Sequence, residues 1–94
     1  MVSHMEKLSG TIRVECTPKL KSEIKKSGTE GCFLVMDEIR SINGVVDVWA
    51  VDDQKLDLVV EIAVDTYEQG KEIASKIKNI DGVLDAHAYI AVEV

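Results

Sequence analysis

The chain has few aromatic residues and almost no recognisable catalytic vocabulary. One Trp, two Tyr and one Phe make up 4% of 94 residues. Only two cysteines occur, Cys16 and Cys32, too few for a disulfide scaffold. Their spacing fits no zinc-ligand pattern, and His4 and His87 do not complete one. They read as reduced thiols packed as small apolar groups, which fits a cytoplasmic protein. No apolar run reaches the roughly 18 residues that a membrane span needs. The start, M-V-S-H-M-E-K-L-S-G, lacks a cationic segment followed by an apolar one, so it is not a secretory signal. The sequence contains no G-x-x-x-x-G-K, G-x-S-x-G, H-E-x-x-H or C-x-x-C. Neither catalysis nor a bound metal or cofactor is expected.

Excess positive charge is also missing. The net charge is −6, which argues against nucleic acid or anionic lipid as a direct partner. The charge is unevenly spread. Residues 1–26 hold six Lys/Arg and three Asp/Glu; residues 27–94 hold five and fourteen. Lys19, Lys21, Lys25 and Lys26 form a local basic cluster, read as a solvated helix face or an anion contact.

What is present is one sentence written twice. Residues 39–51 read I-R-S-I-N-G-V-V-D-V-W-A-V, and residues 77–89 read I-K-N-I-D-G-V-L-D-A-H-A-Y. At an offset of 38, Ile39/Ile77, Ile42/Ile80, Gly44/Gly82, Val45/Val83, Asp47/Asp85 and Ala50/Ala88 stand in register. Each copy has the chemistry of a helix end, a tight glycine turn and a strand start.

Around the repeat, four segments alternate. Thr11–Cys16 puts Ile12, Val14 and Cys16 on one side. Val45–Val51 follows the first glycine turn. Leu56–Val64 is the strongest strand, with Leu56, Leu58, Val60, Ile62 and Val64 on one face, and a central position is expected for it. Val83–Val94 closes the chain, with Leu84, Ala86, Ala88, Ile90 and Val92 expected inward. Pro18–Lys26 can form a short helix with proline in its first turn. Cys32, Val35, Met36, Ile39 and Ile42 fall at helical spacing, widened by Phe33 and Leu34, and predict a helix near 31–42. Tyr67, Gly70, Ile73, Ala74, Ile77 and Ile80 make the stripe of another near 66–79, capped by Asp65 or Thr66.

The order is βαββαβ. Two right-handed βαβ halves interleave into an antiparallel sheet of order 4-1-3-2, an α+β, ferredoxin-like, two-layer sandwich with its helices on one face. Residues 10–94 form this single domain, with 1–9 as a flexible start or an expression remnant. The open face is expected to carry Trp49, Val51, Val59, His87 and Tyr89 among charges, which marks a contact surface for self-association or for a peptide or small ligand. Asp47 and Asp85 on the edge strands discourage edge-to-edge pairing. The first strand offers Arg13 and Glu15 and the third Val59 and Glu61, so the aromatic platform of RNA-binding sheets is lacking.

Three stretches, I-N-G-V-V-D-V-W-A-V, K-L-D-L-V-V-E-I-A-V and I-K-N-I-D-G-V-L-D-A-H-A-Y-I-A-V-E, resemble the effector-sensing RAM domain of the Lrp/AsnC family. The similar region covers most of residues 32–93. The resemblance implies dimers or higher oligomers through the open sheet face, and amino-acid binding between subunits. In that family a helix-turn-helix domain is joined to the module; here a stand-alone version is expected, regulating transcription or metabolism through partners. A ligand site is then expected at the 52–57 turn, at Asp52, Asp53, Gln54 and Asp57. Gln54 stands where the family usually has Gly, and segment 18–31 is longer than the usual connection. The ending G-V-L-D-A-H-A-Y also resembles NapD, a chaperone of twin-arginine signal peptides. A plain interaction scaffold is the remaining reading.

Overall fold

Both copies of the repeat fold the same way, and the fold is built around them. The computed structural model describes residues 7–51 and 57–91. The elements are β1 (Leu8–Cys16), α1 (Pro18–Ser27), a 3-10 turn (Gly28–Cys32), α2 (Phe33–Arg40), β2 (Val45–Val51), β3 (Asp57–Val64), α3 (Tyr67–Lys78) and β4 (Val83–Ile90). The sheet order is β2-β3-β1-β4, all neighbours antiparallel, which is the expected 4-1-3-2 read from the other edge. β1 starts at Leu8, so Leu8 and Ser9 belong to the sheet.

Alternation in the strands meets helical stripes on one side of the sheet. Ile12, Val14, Leu58, Val60 and Ile62 project into the core, where Ile39 and Ile77 pack against them, all essentially without solvent contact. Ile24 and Leu20 bring α1 into the same layer. Thr17 caps α1, its hydroxyl accepting the Leu20 N–H at 3.3 Å, and Pro18 occupies the first turn, where no amide donor is needed. Lys25 and Lys26 lie in the last turn, where they face the negative end of the helix dipole; half of the basic cluster thus has a structural role. Thr66, not Asp65, caps α3. Its hydroxyl accepts from Gln69 N–H, and Gln69 Oε1 accepts from Asp65 N–H.

The expected helix 31–42 is shorter and interrupted. Residues 28–32 wind as a tighter 3-10 turn, and the α-helix proper runs Phe33–Arg40. Cys32, Val35, Met36 and Ile39 form its buried stripe. Phe33 and Leu34 do not widen it: they point outward, 54% and 80% exposed, because one face of a two-turn helix already covers the sheet beneath. Tyr67 likewise leaves the expected stripe and lies exposed, with Lys71 Nζ over its ring at 5.1 Å. Both cysteines are buried, and Cys32 Sγ lies 3.4 Å from Met36 Sδ. Burial pushes the Cys32 thiol up.

The two glycine turns share one bonding pattern. Gly44 and Gly82 take φ of 100° and 99°, which a side chain rarely adopts. Val45 N–H donates to the Ile42 carbonyl and Val83 N–H to that of Ile80. The glycine carbonyls then start the ladders, accepting from Ala63 N–H and Thr17 N–H. No helix among the described residues is long and apolar enough to cross a membrane.

Candidate interaction face of the sheet

Each repeat carries a feature that simple alternation hides, a β-bulge one residue into the strand. On β2, Val45 pairs with Ile62 and Asp47 with Glu61, so Val46 is extra. On β4, Val83 pairs with Cys16 and Asp85 with Glu15, so Leu84 is extra. Leu84 therefore does not point inward as expected. The bulge turns it out to solvent while Val83 and Ala86 stay buried. Val46 and Leu84 are exposed alike, 38 residues apart.

The bulges explain why Asp recurs. Asp47 Oδ1 accepts the Val48 N–H at 2.7 Å, and Asp85 Oδ1 accepts the Ala86 N–H at 2.9 Å. These amides face the free edges of the sheet, so each aspartate occupies a donor that another strand would otherwise use. A cation from the preceding helix completes each arrangement. Arg40 Nη2 donates to the Val48 carbonyl at 3.4 Å, and Lys78 Nζ lies 3.4 Å from Asp85 Oδ1. Arg40 and Lys78 are themselves 38 residues apart. That repetition was visible in the sequence, but its role was not. The Ala86 N–H holds the Asp85 carboxyl below its ordinary value, with the charges of His87 and Lys78 adding to the effect.

Away from the helices, the sheet presents rows set by register. One row runs Trp49, Val59, Arg13, His87; the next runs Asp47, Glu61, Thr11, Tyr89. Trp49 is 45% and Tyr89 62% exposed, and Val51 is exposed beside them. The five residues expected on this face are thus brought together on it. Among the described side chains, the carboxylates of Glu15, Asp47, Glu61 and Asp85 share the face with Arg13. His87 Nε2 sits 3.0 Å from Asp85 Oδ2 in an exposed pair, with no nucleophile in its row. Among the described residues, no group of three or more His, Cys, Asp or Glu is arranged to hold a metal ion. Of the expected ligand turn, Asp52, Asp53 and Gln54 lie outside the described residues, and Asp57 enters only through its backbone, which pairs with Val51.

No family model matches the sequence. No curated protein matches it either. Solved structures do. The protein TTHA0845 of Thermus thermophilus is similar over 93% of this chain and 95% of its own, with a TM-score of 0.69 and 14% identity. The transcriptional regulatory protein PF0864 from Pyrococcus furiosus, a member of the AsnC family, is similar over 95% of this chain and 53% of its own, with a TM-score of 0.61 and 14% identity. The transcriptional regulator NMB0573 of Neisseria meningitidis, solved with L-Met, is similar over 92% of this chain and 50% of its own, with a TM-score of 0.59 and 15% identity. The chain spans about half the length of these two regulators. At such identities the likeness is one of backbone architecture. The chain therefore has the RAM-like ferredoxin fold that it shares with a regulator of the AsnC family.

Proposed function

We propose that this domain is a non-enzymatic sensing and assembly module that pairs with a second copy through its open sheet face and binds a small ligand carrying an ammonium group, an amino acid, between the two copies. The observation that carries this reading is exposed Trp49 paired with half-buried Val59, with Val51 and Tyr89 exposed beside them, on a sheet face that no described helix covers. Large apolar groups rimmed by charge are the usual mark of a contact surface. An isologous pairing would bury each of these groups against its own copy. It would also bring together two net-negative faces, each with Glu15, Asp47, Glu61 and Asp85 against Arg13 and the Lys78 paired with Asp85. A ligand with a positive group offsets that repulsion, which supports an amino acid over a dianionic metabolite. The NMB0573 structure with L-Met is consistent with this choice.

The test is a thermal-shift screen of the twenty amino acids beside a twin-arginine peptide, run on the chain and on Trp49→Glu. Stabilisation by an amino acid, lost in Trp49→Glu, supports ligand binding that needs the paired face. Stabilisation by the peptide alone transfers the assignment to signal-peptide chaperoning. Stabilisation by neither leaves a plain assembly scaffold.

A further inference from the structure

The helix layer carries a second surface that the sheet-face reading does not use. α1, the 3-10 turn and α2 line an open groove of about 650 Å³, to which Asp81 and Gly82 also contribute. The groove exists because the 3-10 turn sits hard on α1. A Cβ on Gly31 would collide with the Glu23 carbonyl group, so only glycine allows the two backbones to meet. Leu20, Cys32 and Val35 make an apolar floor, each nearly fully buried by its own packing. Leu34 forms the lip and is 80% exposed, with Phe33 beside it in sequence and also exposed. Around this apolar centre stand Glu23, Glu30, Glu38 and Asp81, against the single cation Lys19.

We propose that this groove is a docking site for a partner protein's basic segment, one that carries a bulky apolar anchor among lysines or arginines. The apolar floor and lip would take the anchor, and the carboxylates would select and orient the cations around it. Charge complementarity decides the sign: an acidic segment would meet four carboxylates, and a neutral one would leave them unpaired. The groove lies in the helix layer, opposite the open sheet face, so pairing through the sheet would leave it accessible.

The experiment uses the ¹⁵N-labelled full chain and a short peptide of leucine and lysine at helical spacing. Two control peptides carry glutamate for lysine or serine for leucine. Saturating amide shifts are expected at Leu34, Val35, Glu38 and Gly82 with the first peptide alone. The double variant Glu30→Lys, Glu38→Lys changes two exposed side chains and should keep the wild-type melting curve, while the peptide's dissociation constant rises about tenfold or more. Leu34→Ser should weaken binding without changing its salt dependence. Shifts confined to β1–β4, equal binding of the serine peptide, or an affinity indifferent to the double variant would each overturn the proposal. So would a double variant that alters the mass of the chain in sedimentation but not peptide affinity, since the occupant would then be a second copy.

Discussion

Trp49 is the residue on which pairing through the sheet should turn. A Trp side chain presents roughly 250 Å². At 45% exposure, about 110 Å² remains open to water. Covering it contributes about 2.8 kcal/mol at roughly 25 cal/mol per Å². An isologous interface buries the residue twice, so the upper bound is about 5.6 kcal/mol per dimer. Association converts area to affinity poorly, and halving the figure leaves about 2.8 kcal/mol, a hundredfold change in dissociation constant. Trp49→Ala should therefore weaken the dimer about a hundredfold in sedimentation equilibrium. Trp49→Glu should weaken it further, because a carboxylate must also be desolvated beside Asp47 and Glu61. Neither change touches the core, since Val45, Val48 and Ala50 are the residues of β2 that pack against it. Urea midpoints measured on the monomer should thus stay close together. A wild-type chain that sediments as a monomer at high micromolar concentration would refute the reasoning, and so would a Trp49→Ala chain that dimerises as tightly as wild type.

Three further outcomes are expected. Gly31→Ala should destabilise the fold by about 1–3 kcal/mol in urea titration, because the new methyl meets backbone rather than a yielding side chain; an unchanged midpoint would show that the 3-10 turn shifts freely. Asp85 has a lowered carboxyl pKa, so its contribution is fully present above its ordinary value of 3.8 and lost as pH falls through the lower folded value. The acid limb of thermal stability should accordingly be shallower in Asp85→Asn, and identical limbs would remove the Ala86 bond as its cause. Thr66→Ala should cost about 0.5–2 kcal/mol through loss of the α3 cap, measurable as a lower melting temperature with an unchanged native spectrum.

Much of this protein could be read from local pattern. The 38-residue repeat, the alternating Leu58–Val64 strand and the Ile39 and Ile77 stripes express periodicities that each segment obeys on its own. They were enough for element order, sheet order and the membership of the open face. Gly44 and Gly82 signalled their turns because a positive φ is a local demand of the backbone. Other features were set by what stood opposite. Leu84 breaks alternation only because β4 must pass one extra residue while keeping register with Glu15 and Cys16, and strand pairing is not encoded within five residues of sequence. Phe33 and Leu34 carry helical apolar spacing, yet the sheet beneath α2 has room for one stripe, so surface area and not hydrophobicity left them outside. Arg40 and Lys78 stand at equivalent helix ends of the two repeats, and their partners at the sheet edges follow only from the packing of helix against strand. Composition and period determined the layers here. Register and packing decided which side chains were left facing water, and those are the ones from which a function can be argued.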